Sequence, residues 1–265
     1  MRLPFFQVDA FASVPFTGNP AAVVPLKRWL ADDLLQGIAA ENNLAETAYY
    51  IPFDGDEADY ELRWFTPTCE IRLCGHATLA SGHVTLSADP ERETIRFRTR
   101  KAGIMTVARS GEGYALDLVA NPTAPSHHPE AEAALGIGAV EVESHPDRYH
   151  LFRLADEAAV RAVDPDFRAL AALGDDQFIV TAPGDAHDVV SRVFVPGAGV
   201  DEDPVTGSAH SVLTPYWTKR LGRGHFTAFQ ASRRGGVVQC ELRGDRVQLS
   251  GGCVTVIEGE IVLPD

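Results

Sequence analysis

Arg63-Trp64-Phe65-Thr66-Pro67-Thr68-Cys69-Glu70-Ile71-Arg72-Leu73-Cys74-Gly75-His76-Ala77-Thr78 decides how this chain reads. The stretch opens with aromatic and apolar residues, as a strand does, and passes through a glycine into helical spacing. A helix is therefore expected over His76–Ser87. The first N–H groups of a helix have no partner within it, and with the helix dipole they form an anion site. Glycine lets a carboxylate come close to that backbone. The same order returns at Val193-Phe194-Val195-Pro196 and Asp201-Glu202-Asp203-Pro204-Val205-Thr206-Gly207-Ser208-Ala209-His210: a strand, an acidic turn, a glycine, and a helix expected over Ser208–Arg220. Thr206 or Ser208 is placed to cap that helix or to bind an anion. Either glycine-led start, taken alone, is also what an ordinary helix cap looks like.

Toward the N-terminus, Leu3–Phe11 and Ala21–Leu26 read as strands separated by the turn formers Val14–Pro20. Ala31–Asn42 has helical spacing, with Asp32 and Asp33 near its positive end. Strands are expected at Glu46–Pro52, Tyr60–Thr66, Thr94–Arg98, Ile104–Arg109 and Tyr114–Leu118. The proline-rich segment Asn121–Pro129 is the best linker. Beyond it, a short helix at Glu130–Leu135 and strands at Val140–Glu143, Tyr149–Leu154, Gln177–Thr181, Val189–Val195, Thr227–Ala231, Val237–Leu242, Val247–Leu249 and Val254–Val262 are expected. Each half thus has short strands, one helix opened by glycine, and more strands. That is either a duplicated lobe or a chance likeness of two α/β halves.

The chain has 265 residues, 45% of them hydrophobic, enough to bury a core as one large domain or two small ones. Its net charge of -14 repels phosphate backbones and anionic membranes, so nucleic acid is a poor partner. Four cysteines without a CxxC pair or a zinc-spaced His/Cys ladder indicate a reducing compartment, and no metal is expected. No apolar run approaches the roughly 20 residues of a membrane helix. Gln7 and Asp9 break the N-terminal apolar run, so no signal peptide is read there, and a cytoplasmic setting is expected.

Glu46 opens an apolar strand after a helix end, where partial desolvation would raise its pKa toward that of a general base. A solvated loop acid would look the same. Cys74 directly precedes a helix start, a position that lowers a thiol's pKa; it reads equally well as a small buried residue. Cys69, Cys240 and Cys253 read as core or filler positions. His127 and His128 read as solvated linker residues, and His83 and His210 as packing or surface residues on helices. There is no phosphate loop, dinucleotide fingerprint or HExxH.

Five blocks together resemble the phenazine-biosynthesis (PhzF-like) isomerase family. They are Gly18-Asn19-Pro20-Ala21-Ala22-Val23, Glu41-Asn42-Asn43-Leu44-Ala45-Glu46-Thr47-Ala48, Arg63-Trp64-Phe65-Thr66-Pro67, Leu73-Cys74-Gly75-His76-Ala77-Thr78 and Glu202-Asp203-Pro204-Val205-Thr206-Gly207-Ser208-Ala209-His210. They come in family order and span nearly the whole chain. The resemblance implies an α+β fold like that of diaminopimelate epimerase. Two similar, pseudo-two-fold lobes, 1–120 and 121–265, would each be a β-barrel-like sheet around a central helix, with the active site between them. The last strand is free to pack on the N-terminal lobe. By the resemblance Glu46 moves a proton between carbons, and His76 and Asp203 line the site and assist. Gly75, Gly207 and Ser208 match the anion-holding helix starts, beside Cys74 and Thr206. The phenazine enzyme acts on a dihydro-hydroxyanthranilate and needs no metal or organic cofactor; a small carboxylate substrate and a homodimer are implied here. One departure stands out. The phenazine enzyme has an acidic residue where this chain has Cys74. A cysteine there is similar to one of the paired cysteines of diaminopimelate epimerase and proline racemase, whose second cysteine falls near Thr206. Cys74 with another base is therefore the rival, racemase-like reading, and non-catalytic carboxylate binding is a further one.

Overall fold

The computed structural model describes residues 1–264. They form two compact units: Met1–Asp117 with the chain from Ser250 onward, and Leu118–Leu249. The first contains β1 (Arg2–Ala10), β2 (Asn19–Pro25), α1 (Asp32–Asn42), β3 (Glu46–Pro52), β4 (Tyr60–Phe65), β5 (Glu70–Ile71), α2 (Gly75–Ala88), β6 (Thr94–Thr99), β7 (Ile104–Ser110) and most of β8 (Gly113–Val119). The second contains β9 (Ala124–Pro125), α3 (Pro129–Leu135), β10 (Glu141–His145), β11 (Tyr149–Arg153), α4 (Glu157–Arg161), α5 (Phe167–Ala171), β12 (Gln177–Pro183), β13 (Val189–Val195), β14 (Val200–Asp203), α6 (Gly207–Leu221), β15 (His225–Gln230) and β16 (Gly236–Arg243). β17 (Arg246–Gly251) runs across the boundary, and β18 (Cys253–Val262) pairs with β1 in the first unit.

The strand pairings follow one scheme in both units. In the first, β2–β3 is parallel, β3–β4 antiparallel, β4–β6 parallel and β6–β7 antiparallel. In the second, β11–β12, β12–β13, β13–β15 and β15–β16 repeat that order. A parallel pair needs a crossover, and in each unit the second crossover carries the glycine-led helix. The duplicated lobe is thus a matter of topology as well as of sequence pattern.

Both of these helices carry several polar residues yet are largely buried. In α2 every residue from Gly75 to Gly82 and from Val84 to Leu86 is buried, and the helix touches β1, β2, β3, β6, β7 and β18. Burying hydroxyls costs stability unless they are bonded. Here Thr78, Ser81 and Thr85 donate to the carbonyls four residues back, at 2.6, 2.7 and 2.7 Å. In α6 Thr214 does the same to His210, at 2.6 Å. Pro215 lies inside α6 and has no N–H to give the Ser211 carbonyl. Asn121 N–H takes that carbonyl instead at 3.0 Å, and the Asn121 amide donates to Ser211 Oγ at 2.8 Å. The first residue of the expected linker is therefore anchored to the helix of its unit.

The structure adds short elements that periodicity could not show: β5, β9, α4, α5 and β14. The expected acidic turn at 201–203 is in fact strand, because Asp203 and Glu202 pair with Val193 and Phe194.

Candidate active site

The predicted residues fall into two groups, one in each unit. In the first unit Asn19, Glu46 and the start of α2 converge because β2 and β3 run parallel. Ala21 is opposite Glu46, so both strands begin at the same end of the sheet. Gly18 makes the entry into β2 possible. Its φ is +66°, and a Cβ there would lie 2.2 Å from the Ala10 carbonyl oxygen.

His76 is the hub of this group and is 4% exposed. Its Nε2 lies 3.0 Å from Glu46 Oε2, and neither atom has a further partner among the described residues. Its Nδ1 lies 3.1 Å from the Asn19 amide nitrogen and 3.5 Å from Cys74 Sγ. The Glu46 side chain is 15% exposed, so the carboxylate is largely but not wholly withdrawn from water. Burial, reinforced by the Glu46 charge, pushes the Cys74 thiol up to about 11. Burial, the largest influence, opposes a charge on the His76 ring; Glu46 and a charged Cys74 would together draw the ring well above an ordinary imidazole, but with the thiol protonated only the Glu46 pull acts. Cys74 is the residue before α2, and no side chain caps the helix. Apart from a weak contact of the Cys74 thiol with the Ala77 N–H, the buried helix start offers its first N–H groups to a ligand. Donor atoms of Glu46, Cys74 and His76 lie within 4.8 Å of one another, close enough for one cation. The thiol is protonated, however, and the ring nitrogens already face Asn19 and Glu46, so we assign no metal here.

In the second unit Asp203 closes β14 and precedes α6, which also begins without a side-chain cap. Thr206 Oγ1 donates to Asp203 Oδ2 at 2.5 Å. Gln230 braces the turn: its Oε1 accepts from Thr206 N–H at 2.9 Å and its Nε2 donates to the Asp203 carbonyl at 2.6 Å. Ser208 shares a hydrogen bond with the Gln177 amide, at 3.2 Å. His210 Nδ1 bonds the Thr206 carbonyl at 2.7 Å, and burial holds its pKa down at about 4. A cavity of about 600 Å³ lies elsewhere, at the C-terminal end of α2 between Phe6, Tyr50, Tyr60 and His83; none of the predicted residues lines it.

The profile of the phenazine biosynthesis-like protein family, PhzC-PhzF, matches residues 8–259. The chain belongs to the phenazine biosynthesis-like family. It is 49% identical to Uncharacterized isomerase PA3578 of Pseudomonas aeruginosa over 265 residues, covering 99% of this chain and 100% of that protein. A crystal structure of a PhzF-family protein from Enterococcus faecalis is 44% identical and superposes with a TM-score of 0.90, over 99% of this chain and 100% of that one. The hydroxyproline epimerase of Agrobacterium vitis, 11% identical, shares the fold with a TM-score of 0.61, over 100% of this chain and 93% of that one. The α+β, epimerase-type architecture expected from the sequence is therefore the architecture found, and the chain is an enzyme of this isomerase family.

Within the PhzF-family framework several expectations need correction. The helix start does not lower the Cys74 thiol, because desolvation and the neighbouring Glu46 outweigh it. Neither Thr206 nor Ser208 caps α6: Thr206 is taken by Asp203 and Ser208 by Gln177. His128 is not a free linker residue. Its Nε2 is 3.0 Å from Ser144 Oγ, and its ring lies 4.1 Å from that of His150. Cys69 is exposed, whereas Cys240 is buried as expected. Asn19, Gln177 and Gln230 were not among the predicted site residues. Asn19 does sit in one of the family blocks, directly after a glycine that only a turn would require. Gln177 and Gln230 lie on strands remote in sequence from the turn they brace, and no local pattern marks them.

Proposed function

We propose that this enzyme is a cofactor-independent isomerase that moves a proton between carbons of a small carboxylate, with Glu46 as acid and base. The observation that carries this reading is the Glu46–His76 contact at 3.0 Å beside an uncapped helix start. The chemistry needs two things: a carboxylate held close to a reacting C–H, and N–H donors to bind the substrate carboxylate and the charge that develops. The first group supplies both. Glu46 takes the proton from one carbon, the electron pair delocalises into the substrate, and the partly exposed Glu46 carboxyl, which exchanges its proton with solvent, delivers a proton to another carbon. His76 holds Glu46 in place. The backbone opening α2 at Gly75 supplies donors for an anion in the first unit; in the second, Gly207 and Ser208 open α6 beside Thr206, whose donors go to Asp203 and Gln230, and Asp203 is the second acid/base candidate. The family relation supports an isomerase, and the phenazine-like substrate class comes with it only as a proposal. A homodimer and a cytoplasmic setting are likewise proposed.

The racemase-like reading needs Cys74 as a base. A thiol pushed up to about 11 is a poor one near neutral pH. The test is a panel of small unsaturated and hydroxy carboxylates incubated with the enzyme in heavy water, with deuterium uptake followed by mass spectrometry. Glu46→Gln is expected to lower exchange into an accepted carboxylate by about 100-fold or more. Exchange by Glu46→Gln at the wild-type rate would remove Glu46 as the base.

A further inference from the structure

We propose that Asn19 is a positioning residue that keeps His76 Nδ1 unprotonated, so that the ring carries its single proton on Nε2, facing Glu46. The inference deepens the reading of Glu46 as the base and rests on it for its functional meaning. The geometry itself does not.

Asn19 is completely buried, and its amide nitrogen lies 3.1 Å from His76 Nδ1. An amide nitrogen donates and cannot accept, so the ring nitrogen it meets must present a lone pair. A neutral imidazole with a lone pair on Nδ1 has its proton on Nε2. Nε2 is the atom 3.0 Å from Glu46 Oε2, so that proton faces the carboxylate. Turning the amide over would place Oδ1 against Nδ1 and pull the proton there. Nε2 would then set its lone pair against the carboxylate oxygen, two acceptors in contact at a buried site. The Cys74 thiol, 3.5 Å from Nδ1 and protonated, presents a second donor to the same lone pair. Two donors therefore converge on Nδ1.

Burial disfavours a charged ring; the opposing force is Glu46, whose charge draws the ring toward the imidazolium without help from the protonated Cys74. Without Asn19, that pull would put a second proton on Nδ1. With Asn19, a proton at Nδ1 would point at an N–H. The turn secures this arrangement. Gly18 at φ +66° and the antiparallel register Ala10↔Asn19 set the backbone from which the buried Asn19 side chain meets His76. The consequence is a division of labour: His76 stays a donor that orients Glu46 and keeps its own proton, while Glu46 alone exchanges a proton with the substrate.

The experiment is nitrogen NMR on protein labelled with ¹⁵N-histidine, without substrate, near neutral pH, with His76→Gln to assign the signal. In the wild type, Nδ1 of His76 is expected to resonate as a pyridine-type nitrogen and Nε2 as a pyrrole-type one. In Asn19→Asp, Nδ1 is expected to move to the pyrrole-type position. A pyrrole-type Nδ1 in the wild type overturns the inference, whether or not the variant folds. So does an Nδ1 that stays pyridine-type in a folded Asn19→Asp. Because no substrate is present, the spectrum stands or falls separately from the deuterium exchange that tests Glu46.

Discussion

Alkylation rates distinguish a protonated Cys74 from a catalytic thiolate. The perturbation is iodoacetamide at pH 7 on the folded protein. Only the thiolate reacts. With its pKa at about 11, Cys74 is ionised to about one part in 10⁴ at that pH, against a few per cent for a thiol of ordinary pKa, about 8.5. Ionisation alone therefore slows Cys74 by a factor of a few hundred relative to an ordinary thiol, about 3.4 kcal/mol at 1.36 kcal/mol per pKa unit. Burial, which leaves the residue 5% exposed, slows the reagent further. Intact-mass and peptide mapping over time reads the four sites separately, and the exposed Cys69 reports that the reagent is active. Cys74 is expected to remain unmodified while Cys69 is consumed. The companion variant Cys74→Ser keeps a donor beside His76 Nδ1 and should exchange deuterium within about tenfold of the wild type, far above Glu46→Gln. Labelling of Cys74 as fast as Cys69, with a rate midpoint below pH 9, would show a reactive thiolate and restore the thiolate-based racemase reading.

Two further outcomes follow from the packing. His210 is completely buried and its pKa is about 4, below the roughly 6.5 of an unfolded histidine. Between those values the unfolded chain binds more protons, so stability falls as pH falls from 6.5 to 4, by about 3 kcal/mol in all. Urea unfolding at a series of pH values should show this acid limb, and His210→Gln should flatten it. Gly82 lies inside α2, where a Cβ would stand 2.4 Å from Val107 Cγ1. Gly82→Ala should therefore lower the melting temperature despite a helix-propensity gain of about 1 kcal/mol, because overpacking costs about 1–3 kcal/mol. Val107→Ala should recover part of the loss in the double variant, and a raised melting temperature for Gly82→Ala alone would show that the contact is absent.

The two glycine-led helices were legible because a strand, a glycine and a helix follow one another within a few residues, and because that order occurs twice. Glu46 was legible as a residue type at a strand start, but its meaning came from the block around it. What the sequence concealed was set by contacts between distant segments. Gln230 reaches Thr206 and Asp203 from β15, and Gln177 reaches Ser208 from β12. The state of Cys74 was concealed for a related reason. Position before a helix argues for a low pKa; only the fold shows that the thiol is desolvated with a carboxylate close by. β14 was hidden because Asp201-Glu202-Asp203 has the composition of a turn, and its pairing to β13 is fixed by register with residues upstream.

The charge state of the first group limits how a carboxylate can bind. With the thiol protonated and the ring neutral on the tautomer inferred above, Glu46 is the single charge among Asn19, Glu46, Cys74 and His76. A substrate carboxylate placed against Glu46 would bring a second negative charge into a poorly hydrated site, an arrangement that neutralises one partner or fails. On the proposed reading, a carboxylate substrate would turn its reacting C–H, not its carboxylate, toward Glu46. The carboxylate is left to the N–H groups opening α2, which carry the positive end of the helix dipole and no side-chain cap. A neutral residue at position 74 suits the same arrangement. An acidic side chain directly before the helix would compete strongly with a bound carboxylate for those same N–H groups, whereas the protonated thiol makes only a weak contact with the Ala77 N–H. Were Cys74 replaced by Asp, the helix start would acquire its own anion, and carboxylate binding should weaken more than the capacity of Glu46 to exchange a proton.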